Sequence, residues 1–252
     1  MLFRNEKNST YINFPDMLIE NSNISKATRD LEDFYNFKNS GVIVSKKADS
    51  KIFFKYPVFK FRPAQCDSLN IDIWLHGKNI IRDAGTFSYN FNNMKLDYYS
   101  GDRGHNVVQI GEGNEMPRIS RFLFGNWSKT KEIQIMNDEV SNRFKVKILK
   151  NKSFWSREIK HVNKIIEISD SISPSMNLKV FRLRLINEKY EILSNKIIFK
   201  DFKIEFFSNL RDSLPIKILK ETESLHYYEE SNINLLEIKL LDSENIRTII
   251  NY

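Results

Sequence analysis

From Gly41 onward, apolar and polar residues alternate in short stretches: GVIVSKK, KIFFKYPVFKF, SLNIDIWL, KEIQIMN, NRFKVKILK, NKIIEIS, LKVFRLRLI, FKIEFF, LPIKILK and INLLEIKLL. A period of two sends successive side chains to opposite faces of an extended backbone, so each stretch predicts a half-buried strand. The separators KNSG, KKADS, HGKN, MNDEVSN, SDSISPSMN and LDSEN are short and supply the Asn, Asp, Gly and Ser that tight turns favour. Neighbouring strands are therefore expected to run antiparallel. One sheet alone would leave an apolar face in water, so this many strands must stack as two or three layers. The expected fold is all-β, a large antiparallel multi-layer β-sandwich of the supersandwich type, with a closed barrel as the alternative. Residues 1–39 break the alternation, and in SKATRDLEDFYNF the residues Leu31, Phe34 and Phe37 have helical spacing. This predicts a leader with one short helix over residues 1–39, followed by a sandwich domain over residues 40–252.

With 41% hydrophobic and 28% charged positions in 252 residues, the chain can bury a core and is neither disordered nor fibrous. Thirty-nine Lys and Arg against 32 Asp and Glu leave a net charge of +7, which attracts polyanions: nucleic acid, anionic lipid or acidic polysaccharide. Helix-turn-helix, RNP-type strand and basic-helix patterns are all missing, so the charge reads as diffuse and nucleic acid is not the expected partner. The single cysteine, Cys66, rules out an intramolecular disulfide, and its acidic neighbour Asp67 disfavours a reactive thiolate. Apolar runs last only a few residues, far short of the roughly 18–20 that a membrane-spanning helix needs. The N-terminal stretch MLFRNEKNSTYINFPDMLIE shows no signal-peptide pattern.

Between Arg82 and Trp127 the rhythm stops. RDAGTFSYNFNNMKLDYYSGDRGHNVVQIGEGNEMPRISRFLFGNW is rich in Gly, Arg, Asn and aromatic residues, and only NVVQI reads as a strand. Long loops on a rigid β-scaffold commonly hold binding chemistry. Gln65, Asp67, Asp83 and His105 fall at expected strand ends or loop starts. A carboxylate and an imidazole from separate strands suit a zinc ion, to which Gln65 would add only a weak amide oxygen. Alternatively, Asp83 and His105 form a buried hydrogen bond that fixes a loop. His76 in LHGKN, and His161 and His226 among polar residues, are expected in solvent. Arg103, Arg118 and Arg121 can grip carboxylates or sulfates of an anionic sugar polymer, or pair with Asp97, Asp102, Glu112 or Glu115. Phe87, Tyr89, Tyr98, Tyr99, Phe122, Phe124 and Trp127 can stack on sugar rings or pack in the core. No GxSxG, P-loop, GxGxxG or HExxH motif is present.

FRPAQCDSLNIDIWLHGKNIIRDAGTFSYN followed by GHNVVQIGEGNEMPRISRFLFGNW resembles the C-terminal β-domain of heparinase II/III-like polysaccharide lyases. Asp67, Gly77, Asp83, Gly85, Thr86, Tyr89, His105, Asn106, Val107 and Val108 carry the ordered pattern. Weaker similarity runs through WSREI and ESLHYYEE, so the resemblance spans roughly residues 40–252. It implies a β-sandwich joined to an N-terminal α-helical toroid, and β-elimination on acidic, uronate-containing polysaccharide. The toroid would supply an Asn or Glu to neutralise the uronate carboxylate and a Tyr or His as base and acid. For the sandwich, the resemblance implies a structural zinc held by Asp83 and His105; the candidate substrate contacts Arg103, Arg118, Arg121, Tyr89 and Trp127 rest on their own side-chain chemistry. Gln65 stands where the family's remaining metal-binding His belongs, and Pro63 where its catalytic His belongs, so no catalytic residue is assigned here. The implied partners are acidic polysaccharide and a helical toroid from a longer chain, and the implied location is the cell envelope or periplasm. The alternative is a non-catalytic carbohydrate-binding or assembly module of surface-polysaccharide metabolism.

Overall fold

A computed structural model describes residues 33–90, 92–150, 152–173 and 178–252. Alternation in sequence becomes alternation in burial: in β2 (Val42–Lys47) Ile43, Ser45 and Lys47 point inward, and in β3 (Ser50–Lys55) Ser50, Ile52 and Phe54 do. The first sheet runs in the order β1 (Phe34–Phe37), β2, β3, β4 (Ile71–Leu75), β5 (Lys78–Ile81), β13 (Lys179–Leu185), β18 (Ser231–Leu240), β17 (Ile216–Glu223). Beside β5, β6 (Val108–Ile110) also pairs with β13. The second sheet runs β14 (Glu191–Leu193), β15 (Lys196–Ile198), β16 (Lys203–Ser208), β19 (Ile246–Asn251), β12 (Ile165–Ile172), β11 (Ser153–Val162), β10 (Ser141–Lys150), β9 (Lys129–Asn137). A small ribbon joins β7 (Arg118–Ser120) to β8 (Leu123–Phe124). The named strand pairs are antiparallel, and the layered sandwich is the one expected.

The inner faces of the two large sheets form one apolar core. Ile43, Phe54, Ile71 and Leu183 from the first sheet pack with Phe144, Val146, Trp155, Ile168 and Ile250 from the second. The Phe54 and Phe144 rings meet edge to face, 5.3 Å apart, across the layers. Full burial of each such side chain is worth about 1.5–3 kcal/mol relative to exposure, which is what holds two sheets face to face.

Strand β13 departs from the half-buried pattern: all seven of its residues are buried, including Lys179, Arg182 and Arg184. Its outer face is covered by the Arg82–Trp127 segment. Arg184 donates to Tyr98 Oη at 3.1 Å, to Arg103 O at 2.8 Å and to Thr222 O at 2.6 Å, so its guanidinium ties that segment down.

Three expectations need correction. Phe34–Phe37 forms an edge strand on β2, not the end of a helix, because pairing with Val42–Ser45 satisfies its backbone; the rest of the expected leader helix lies outside the described residues. KIFFKYPVFKF is not one strand: β3 stops at Lys55, two residues before Pro57, which has no N–H to offer a ladder. The segment expected to be nearly all loop contains a helix, α1 (Asn93–Ser100), whose Asn92 side chain caps the Lys95 N–H at 3.0 Å.

Candidate functional site

The site is built where β5 ends and where a turn of 3-10 helix (Asp102–Gly104) delivers His105. Three hydrogen bonds fix Asp83: its own N–H reaches Asp72 Oδ1 at 2.9 Å, Gly85 N–H reaches its Oδ1 at 2.8 Å, and Asn70 Nδ2 reaches its Oδ2 at 3.2 Å. Gly85 is required there. Its φ is +77°, and a Cβ would stand 2.0 Å from the Ser224 carbonyl oxygen.

His105 Nδ1 donates to Asp83 Oδ2 at 2.6 Å. The imidazole side chain is 1% exposed, whereas the Asp83 side chain is 31% exposed. Burial alone would raise the Asp83 carboxyl, but the charge and hydrogen bond of His105, the Gly85 N–H and Arg184 outweigh it and hold the group below its ordinary range. Burial alone would lower His105, yet Asp83 first, then Asp67 and Asp102, raise it. Asp72 is pushed up to about 7 by burial and by the like charge of Asp83.

A polar frame surrounds the pair. Asn106 donates from its backbone to Asn70 Oδ1 at 2.8 Å and from its amide to Ile71 O at 2.8 Å, and accepts from Arg184 N–H at 2.6 Å. Buried Lys150 reaches Asp102 Oδ2 at 3.3 Å, Glu115 Oε2 at 3.7 Å and Val108 O at 2.8 Å, fixing the loop under His105. The Cys66 thiol is buried against Met116 O at 3.6 Å; burial, then Asp102 and Glu115, keep it protonated.

The irregular strap after β3 lines a cavity of about 390 Å³ with Phe59, Lys60, Phe61, Arg62, Gln65 and Asp67, and Asp67 links it to the pair through the charges of His105 and Asp83. Lys60 and Arg62 form no ion pair among the described residues. Phe61 is 74% exposed, with the Arg62 guanidinium 5.3 Å from its ring centre. Asp67 is buried and pairs with Lys55 through Oδ2.

The expected site residues separate into two groups. Asp83 and His105 meet. The arginines are each engaged in tying loops: Arg103 pairs with Glu221, Arg118 with Asp97 at 2.5 Å, and Arg121 donates to Tyr89 O at 2.9 Å. Arg103's partner is thus a distant residue of β17, not one of its sequence neighbours. Tyr89 is exposed, and half-buried Trp127 donates to Phe124 O at 2.6 Å. His161, expected in solvent, is fully buried between Ser45 Oγ at 2.7 Å and Ser50 Oγ at 2.6 Å, since it occupies an inward position of β11. The sequence does not single out Lys55, Lys60, Arg62, Asn70 or Arg157, and marks Asn106 only as part of the ordered pattern. Their signal was a charge or amide at a place where alternation or turn chemistry already explained it.

The donor set does not make up a zinc shell. His105 Nε2, Gln65 Oε1 and Asp67 Oδ1 are buried without a hydrogen-bond partner, but among the described residues no three His, Cys, Asp or Glu side chains converge on a point suited to a metal ion. Zinc sites in proteins retain three or four strong donors, and an amide oxygen is a poor substitute for imidazole.

A layered antiparallel sandwich with an Asp–His pair behind a glycine-dependent turn is the class this fold and site define. The profile described as "Heparinase II/III-like, C-terminal" matches residues 29–188, and the chain belongs to that family. Among solved structures, the BT4657 gene product, a heparinase III, is similar with a TM-score of 0.74 at 16% identity, over 86% of this chain and 36% of that one. A mutant of the heparan sulfate lyase HepC from Pedobacter heparinus is similar with a TM-score of 0.69 at 16% identity, over 86% and 36%. A further heparinase III gives 0.69 at 14% identity, over 87% and 36%. The chain therefore spans little more than a third of the structures it resembles. No curated protein matches it.

Proposed function

We propose that this chain is the β-sandwich part of a polysaccharide lyase that acts on acidic, uronate-containing polysaccharide by β-elimination, working beside a helical toroid that supplies the proton-transfer groups. Family membership supports the lyase class, and the basic, aromatic-rimmed strap cavity that Asp67 links to Asp83 and His105 is the observation that carries the substrate class. Lys60 and Arg62 offer charge to a carboxylate or sulfate, and exposed Phe61 offers a ring face to a pyranose.

The reaction removes the proton α to the uronate carboxylate, which needs a base within about 3 Å of that carbon-bound hydrogen. His105 is 1% exposed and hydrogen-bonded to Asp83, and Pro63 brings no imidazole, so these residues position the wall of the site and the base comes from elsewhere. Asp83 and His105 act by holding the loop from Arg82 to His105 in one shape. The proposed location is the cell envelope or periplasm; among the described residues no helix is long and apolar enough to cross a membrane.

Replacement of the family histidines by Pro63 and Gln65 favours a second reading, a non-catalytic carbohydrate-binding or assembly module. Incubation with a uronate-containing polymer, following ultraviolet absorbance of the unsaturated product alongside retention on the same polymer, tests both. Retention without turnover is expected of this chain alone. Turnover by it would overturn the assignment of the base to another domain, and absence of retention would overturn the substrate class.

A further inference from the structure

We propose that the Lys55 ammonium takes the electrostatic place of a metal ion at this pocket, so that the chain folds and holds the Asp83–His105 pair without zinc. Asp67 is 8% exposed, and a buried carboxylate needs a cation or a proton beside it. Lys55 supplies the cation from the last position of β3, its ammonium paired with Asp67 Oδ2. The same residue's backbone N–H reaches Asn70 O at 2.9 Å, so one residue ties the strand to the turn that carries both Asp67 and Asn70.

Charge then balances from within the chain. Asp67 is faced by Lys55 and His105, with Asp83 as its like-charged neighbour; Asp83 is faced by His105 and Arg184. A zinc ion entering here would find one imidazole, one open carboxylate and an amide as ligands, and would be repelled by an ammonium already seated on the adjacent carboxylate. Gln65 fits the same arrangement, because a neutral amide can lie next to an ammonium–carboxylate pair without demanding a metal. The proposal does not depend on the polysaccharide reading, since its readouts are metal content and melting.

The test uses the full chain, purified without chelator. Metal content is measured by inductively coupled plasma mass spectrometry, melting is followed with and without EDTA, and zinc affinity by competition with a chromophoric chelator. Lys55→Met, Lys55→Arg, Gln65→His and the Gln65→His/Lys55→Met double variant are compared. The wild type is expected to hold only substoichiometric zinc and to melt identically with and without EDTA. Lys55→Met should melt lower, and Lys55→Arg, which keeps the charge, should stay close to wild type and free of zinc. Gln65→His should take up zinc weakly and the double variant at least about tenfold more tightly, because the competing positive charge is gone. One zinc per wild-type chain with a melting temperature lowered by EDTA would overturn the proposal. So would equal zinc affinity in Gln65→His and the double variant, or no zinc uptake by either. If Lys55→Met fails to fold, the Lys55→Arg result decides: zinc uptake or a large loss of melting temperature there counts against the proposal, and wild-type behaviour counts for it.

Discussion

Arg157 and Asn106 join the second sheet to the candidate site: Arg157 Nη1 donates to the Asn106 carbonyl at 2.6 Å and also to the Leu69 carbonyl at 2.7 Å. Those two carbonyls flank the site, one next to Asn70, which holds Asp83, and one next to His105. The guanidinium is itself held by Asp170, through Nε at 2.8 Å and Nη2 at 3.1 Å, and Trp155 Nε1 donates to the same carboxylate at 2.7 Å. All four side chains are buried, so the geometry at Asp83 and His105 is set from the far sheet.

Arg157→Leu should therefore cost about 3–5 kcal/mol in chemical denaturation, because it leaves Asp170 buried and uncompensated. Arg157→Lys should recover little, since one ammonium cannot reach two carbonyls and grip a carboxylate in two places. Wild-type stability in either variant would show that the clamp does not hold the sheets together.

Removing the pair itself tests the site locally. Asp83→Ala and His105→Ala should each cost about 1.5–3 kcal/mol, the range for a hydrogen bond to a charged group. The double variant should cost less than the sum, because the two changes remove one shared interaction. Strict additivity in thermal melts would mean that the two side chains act independently.

Gly85→Ala should be among the most damaging small substitutions. A φ of +77° is unfavourable for any residue with a Cβ, and the new methyl would meet the Ser224 carbonyl oxygen at 2.0 Å. The expected cost exceeds the roughly 1 kcal/mol of an ordinary left-handed Gly→Ala change, because backbone must shift as well. A melting temperature equal to wild type would contradict the close approach of these two segments.

Acid should destabilise the fold through His161. Burial, then Lys47, lowers this imidazole to about 4, with Asp33 opposing. The folded value lies below the ordinary one, so the folded state favours neutral histidine: the stabilisation is complete above about pH 6.5 and is lost as the pH falls through about 4. A shift of this size is worth on the order of 3 kcal/mol at full protonation. Comparing denaturation of wild type and His161→Gln from neutral pH to pH 4 should show a smaller pH slope in the variant. Identical slopes would remove His161 as a cause.

The strands were legible because their burial is one-sided. GVIVSKK and NRFKVKILK alternate in sequence and in burial, whereas INLLEIKLL, which pairs on both sides, buries Ile233 to Leu236 in succession. Helix α1 was not legible, since only Leu96, Tyr99 and Ser100 of its eight residues are buried and no apolar stripe marks it. Within the site, Asp83 and His105 could be picked out because a carboxylate and an imidazole stood in a glycine-rich loop. Lys55 could not, because in KIFFKYPVFKF a charge reads as solvent-facing, and Arg157 could not, because it lies outside the stretches whose alternation predicts a strand and is buried in succession with Trp155 and Ser156. Only the packing reveals that Arg157 is buried in the core and that Lys55 lies on a buried carboxylate.

The most direct measurement is retention of the full chain on immobilised heparan sulfate at rising salt, beside neutral dextran and DNA, for wild type and the Lys60→Ala/Arg62→Ala double variant. The expected result is elution from heparan sulfate at higher salt than from DNA, no retention on dextran, and a clear drop in elution salt for the double variant. Equal elution from heparan sulfate and DNA, or no change on removing Lys60 and Arg62, would contradict an acidic-sugar site at the strap cavity.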